Sequence, residues 1–199
     1  MECGTWYRVY NIEGQNKNEA MEHPHETYRL EDITRHHAIG ADLFVPFALF
    51  RLRGDTAATE ATLTVELRNV DDISPSQRTL HLSWSSASAP TQPLGVPERV
   101  ITEWAACGVA CVVMALYTGL TVRAVAAEGD RFDYWVDDGQ YDYGLEVSGT
   151  LGGDLEARHR AKVRQLCDNP YGVDGYVVVV NFTTRRVVLS FHRCEEESP

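Results

Sequence analysis

The chain has 199 residues, 44% of them hydrophobic, with 18 Lys plus Arg against 29 Asp plus Glu and a formal net charge of −11. That length and apolar content suit a soluble globular protein and exclude collagen-like, low-complexity and wholly disordered chains. The excess of acid also excludes a diffusely basic nucleic-acid binder, so any positive surface for phosphate must be local.

In the first half, Trp6 to Ile12, Leu43 to Leu52, Ala61 to Val70 and Thr79 to Trp84 show period-2 alternation with β-branched or aromatic residues. They read as strands joined by polar turns, a mainly β N-terminal domain over 1–87. Trp6, Tyr7 and Tyr10 fit strand-core packing or stacking on bases. His23-Pro24-His25 and His36-His37 lie in polar surroundings and read as loop residues rather than metal ligands. Residues 88–97, rich in Pro and small residues, read as a linker.

Beyond the linker the pattern is helix, three strands, helix, two strands, an α/β (α+β) domain over 98–194. A helix is expected from about Glu98 to Thr118. No charge occurs from Trp104 to Val122, a length that suits a membrane span. Gly108, Gly119, Thr118, Thr121 and several Ala moderate its hydrophobicity, so it reads as a buried helix packed against a sheet, with no membrane involved. Strands are expected near Leu120 to Glu128, Arg131 to Val136 and Tyr141 to Thr150. Asp154 supplies the N-cap of a helix that runs to about Cys167 and is stopped by Asn169-Pro170. Gly175 to Phe182 reads as a strand buried on both faces and Arg186 to His192 as its partner. Residues 195–199 form an acidic solvated tail.

The five cysteines are odd in number and form no CxxC pair, and the amino terminus lacks the basic-then-apolar layout of a secretory signal. Free thiols in a cytoplasmic protein are therefore expected.

The acid is concentrated. Residues 128–146 hold Glu128, Asp130, Asp133, Asp137, Asp138, Asp142 and Glu146 against the single base Arg131. Alternation along Tyr141 to Thr150 puts Asp142, Gly144, Glu146 and Ser148 on one face. Crowded carboxylates repel unless a proton or cation relieves them, and hard oxygen ligands suit Mg²⁺ or Mn²⁺. A solvated acidic strand face would carry the same residues. Immediately downstream the sign flips, with Arg158, Arg160, Lys162 and Arg164 in one expected helix. Leu155, Val163 and Leu166, with His159, form its core-facing stripe, and Arg158, Lys162 and Gln165 share a neighbouring face.

The element order, with Phe132-Asp133-Tyr134-Trp135-Val136 followed by Leu145-Glu146-Val147-Ser148-Gly149, resembles the core of the PD-(D/E)XK nuclease superfamily over about Pro97 to His192. The resemblance implies a restriction-endonuclease-like mixed sheet flanked by helices, with Asp133 and Glu146 as Mg²⁺ or Mn²⁺ ligands. Ser148 stands where the family's motif Lys belongs, and a hydroxyl supplies no positive charge. Some members take that Lys from a neighbouring helix, which points to Lys162, with Gln165 beside it. Glu103 and Asp142 are accessory candidates, and Arg158, Arg160 and Arg164 are candidates for holding nucleic acid. The expectation is a Mg²⁺-dependent nuclease. The alternative is a catalytically silent nuclease-like scaffold that meets a basic protein partner through its acidic surface. Oligomeric state and the choice between DNA and RNA stay open.

Overall fold

Val177 to Val180 in strand β7 (Gly175–Asn181) are fully buried. A strand with no face toward water needs a covering layer on each side of its sheet. The computed structural model describes residues 25–54, 56–70, 75–85 and 95–194. In chain order the elements are β1 (His25–Arg29), a 3-10 turn Leu30–Asp32, α1 (Ile33–His36), a second 3-10 turn Ala41–Phe44 and α2 (Val45–Arg53). They continue with β2 (Glu60–Arg68), β3 (Ser76–Ser83), α3 (Glu98–Tyr117), β4 (Thr121–Val125), β5 (Tyr134–Asp137), β6 (Asp142–Thr150), α4 (Leu155–Cys167), β7 and β8 (Arg186–His192).

The strands form one mixed eight-stranded sheet in the order β1-β3-β2-β8-β7-β6-β5-β4. Parallel pairs join β1 to β3, β2 to β8 and β6 to β7, and the other neighbours are antiparallel. On one face Val178 and Val180 pack with α2, α3, Leu63, Val65 and Leu145. On the other, Val177 and Val179 pack with Leu155 and Leu166 of α4 and with Phe132. This is the expected mixed α/β architecture with helices on both faces of a sheet.

The boundaries of α3, β6, α4 and β8 fall within a residue or so of those read from the sequence. Asp154 caps α4 by accepting from the backbone N–H groups of Glu156 and Ala157 at 2.9 and 3.1 Å. Gly119, with φ 71°, ends α3 by donating to the Met114 carbonyl at 3.1 Å. By length and composition α3 is apolar enough to cross a membrane. Here it is the core helix, and Gly108 lets it approach α2 so closely that a Cβ there would meet Ala48 Cβ at 3.0 Å.

Four expectations are corrected. Leu43 to Leu52 is not a strand. It forms a 3-10 turn and α2, because Pro46 starts a helix and Ala48, Leu49 and Leu52 fall on one buried helical stripe. Residues 1–87 do not form a separate β unit where they are described, because Val65 of β2 pairs with Val187 of β8 and both halves share one core. The thiols are not all free: Cys167 and Cys194 form a disulfide with Cα atoms 4.9 Å apart, while Cys107 and Cys111 are free and buried. A spacing of 27 residues hides that pair in a sequence, whereas the fold lays the end of α4 beside the end of β8. Trp6, Tyr7, Tyr10, Cys3, His23, the acidic tail and most of the expected linker lie outside the described residues. His37 is no loop residue. It is buried between α3 and β4, where Nδ1 accepts from the Val122 N–H at 3.0 Å and Nε2 therefore donates to the Cys111 carbonyl at 2.9 Å.

Candidate active site

β6 loses its neighbour β5 after the pair Tyr134–Leu145, while β7 stays paired to it as far as Thr150. The free edge of β6 beyond Leu145 lines a cleft of about 660 Å³ between the first half of α3 and the first half of α4. Gly149 permits this arrangement, since a Cβ there would lie 2.3 Å from the Thr102 carbonyl oxygen of α3.

Asp133 stands one residue before β5 and takes over the role of the missing strand. Its N–H donates to the Leu145 carbonyl at 2.9 Å, and its carboxylate Oδ2 accepts from the Val147 N–H at 2.8 Å. Burial raises its carboxyl above the ordinary range, against the pull of the Val147 N–H and of Lys162, and the charge of Glu103 adds to the rise.

Glu146 lies between Leu145 and Val147, which face α3, and so it points toward α4. It is fully buried. Oε1 accepts from Lys162 Nζ, and the same Nζ donates to Gln165 Oε1 at 3.0 Å. Oε2 is buried and has no hydrogen-bond partner. Burial, reinforced by the charge of Asp133, pushes the Glu146 carboxyl up to about 7 despite Lys162 and Gln165. A buried carboxylate oxygen without a partner is expensive to keep, which makes Glu146 a candidate for a functional role.

Ser148 Oγ accepts from Arg158 Nη1 at 3.1 Å. Arg68 holds the first turn of α4 in place, with a bidentate pair to Glu156 at 2.9 and 2.6 Å.

Asp133, Glu103, Ser148, Arg158 and Lys162 thus line one cleft, with Glu146 and Gln165 behind Lys162. Glu103 pairs with Arg99 at 3.2 Å. Asp142 is not among them. It is exposed at the far end of β6 and pairs with Arg123 at 3.2 Å, so it is no accessory ligand. Arg160 and Arg164 are exposed on α4 but do not line the cleft. Sequence reasoning missed Thr102, Trp104, Cys107 and Tyr134, which also line it. Apart from Tyr134, their one signal was nearness to Glu103 in α3: Cys107 lies one turn on along the same face, and Thr102 and Trp104 adjoin Glu103.

Among the described residues no three His, Cys, Asp or Glu side chains converge as a metal-binding group. Of the carboxylates, Glu98, Glu103 and Asp133 line the cleft, and Glu146 lies buried behind Lys162. The chain has no significant match to a family model, a curated protein or a solved structure.

Proposed function

We propose that this cleft hydrolyses nucleic-acid phosphodiester bonds with the help of Mg²⁺ or Mn²⁺, as a divergent member of the PD-(D/E)XK superfamily. The observation that carries the reading is Glu146 Oε2, buried and unpartnered beside Asp133. A proton, a cation or a hydrogen-bond donor relieves such an oxygen. The donor set fits a hard divalent ion, because Mg²⁺ is commonly held by one or two carboxylates together with water and substrate phosphate. When bound, the ion supplies polarisation of the phosphoryl oxygen and acidification of a water.

The chain's own residues supply the rest. Lys162 has three N–H donors, of which Glu146 and Gln165 take two. The third is left for a water or a phosphate oxygen at the cleft surface. Arg158 spends one N–H on Ser148 and keeps others for a non-bridging phosphate oxygen. The test is cleavage of DNA and RNA panels with Mg²⁺ or Mn²⁺. Wild type is expected to cut, with Asp133→Asn and Glu146→Gln slower by about a hundredfold or more. Equal cutting by wild type and both variants refutes the assignment.

One observation favours the scaffold reading: Lys162 already neutralises Glu146 with no metal involved. Absence of Mn²⁺ binding in calorimetry, together with a co-purifying basic protein, would replace the nuclease reading with that one.

A further inference from the structure

Trp104 is 41% exposed on α3 and lines the same cleft as Asp133 and Lys162. The ring is half in water, one residue from Glu103, where α3 passes from its exposed start to its buried middle. Its orientation is nevertheless fixed. Phe47 packs against it with ring centroids 4.9 Å apart at 73°, and Phe44 does so at 6.3 Å and 84°. Phe44 in turn contacts Tyr134 at 6.1 Å, and the Tyr134 hydroxyl donates to Cys107 Sγ at 3.2 Å, which ties the aromatic row to the cleft floor. Leu151, 45% exposed, lines the cleft as well, at the end of β6. The cleft therefore combines a rigid aromatic ring and an apolar side chain with three cations, Arg99, Arg158 and Lys162, of which Arg99 is paired with Glu103.

We infer that Trp104 is a stacking platform for an unpaired nucleobase beside the scissile phosphate, so that the substrates are single strands or unpaired ends rather than intact duplex. This rests on the nuclease reading above and specifies its substrate class. A base inside a duplex has both faces covered by its neighbours, so an aromatic ring reaches one only when the base is out of the stack. Stacking is also tolerant of sequence, which matches a cleft whose lining carries cations for phosphate and a ring for a base.

The test uses the full chain, with a fluorescein-labelled oligothymidylate, a copy carrying one abasic position, and a blunt hairpin duplex as probes. Binding is read by anisotropy in the Glu146→Gln background and cleavage in the wild-type background. Binding of the single strand is expected to exceed that of the hairpin by about tenfold or more. Trp104→Ala is expected to weaken single-strand binding by about tenfold or more, and Trp104→Phe to retain most of it. The abasic position is expected to weaken binding in the Trp104-containing protein and to have little further effect in Trp104→Ala, an outcome that a merely structural role for the ring does not produce. Additive effects of Trp104→Ala and the abasic position, or equal binding of hairpin and single strand, overturn the stacking role. If either result comes with Glu146-dependent cleavage, the nuclease reading survives. If no probe is bound or cut by any form, both fall.

Discussion

Ser148 Oγ accepts a hydrogen bond from Arg158 Nη1 at 3.1 Å, one strand repeat along β6 from the Glu146–Lys162 pair. Two residues of a strand advance about 6.6 Å and four residues of a helix about 6 Å. Because α4 runs antiparallel to β6, Glu146 and Ser148 each meet one cation of the helix. The carboxylate of Glu146 and the hydroxyl of Ser148 are thus each held by their own cation.

Lys162→Met is expected to slow metal-dependent cleavage by about a hundredfold or more, the usual weight of a hydrogen-bond donor aimed at developing charge. It also leaves a fully buried carboxylate without its cation. At pH 8 the variant should lose about 1–3 kcal/mol of stability, less than a wholly buried pair because Lys162 is partly solvated. Chemical denaturation with and without the substitution checks this. An unchanged midpoint at pH 8 would mean that the pair contributes nothing.

Glu146→Gln should reveal a conflict between stability and function. The Glu146 carboxyl rises from 4.5 to about 7 on folding. The folded state therefore holds that proton more tightly than the unfolded chain, and the contribution is full below 4.5 and lost as pH rises through about 7. In metal-free buffer wild type and Glu146→Gln should be equally stable near the acid end. Above neutrality the variant should be more stable, by about 3 kcal/mol at most. Added Mn²⁺ should raise the thermal midpoint of wild type alone. Identical pH profiles for the two proteins would show that Glu146 carries no such penalty.

Gly149→Ala tests how the cleft is closed at the sheet edge. The new methyl would need the space occupied by the Thr102 carbonyl, which is backbone of a core helix and cannot turn aside. Overpacking of this kind costs about 1–3 kcal/mol. Since α3 carries Glu103 and Trp104, cleavage should fall along with the thermal midpoint. A variant with wild-type stability would mean that α3 yields freely at this point.

Much of the second half was legible in the sequence because its signals are local. Asp154 and Gly119 mark helix ends by backbone chemistry, and four successive valines admit no solvated face. Helix period placed Arg158, Lys162 and Gln165 on one face of α4, whereas the grouping of Lys162 with Asp133 and Glu146 came only from the resemblance to the nuclease superfamily. Leu43 to Leu52 misled because a short apolar run fits both periods, and Pro46 decides between them only when read as a helix start. The pairing of β2 with β8, the Cys167–Cys194 disulfide and the place of Trp104 were illegible. Each is a contact between segments distant in the chain, which no local pattern encodes.

Away from the cleft, a buried histidine network sets the response to acid. His159 Nδ1 lies 3.5 Å from Arg68 Nη1, a donor, so its Nε2 carries the proton and donates to Ser190 Oγ at 2.7 Å. His192 Nε2 lies 2.8 Å from the same hydroxyl. Burial, then Arg68 and His192, lowers His159 from 6.5 to about 4, against the opposite pull of Glu156 and Glu66. Between those two values the unfolded chain binds a proton that the folded protein refuses, so stability is full above 6.5 and falls as the pH drops toward 4. Glu146 slopes the other way over much of the same range, so the measurement belongs in the Glu146→Gln background. There, urea denaturation should show a loss of about 3 kcal/mol at most on acidification, and adding His159→Gln should remove most of that slope. A slope unchanged by His159→Gln would assign the acid sensitivity to His192 or to other groups.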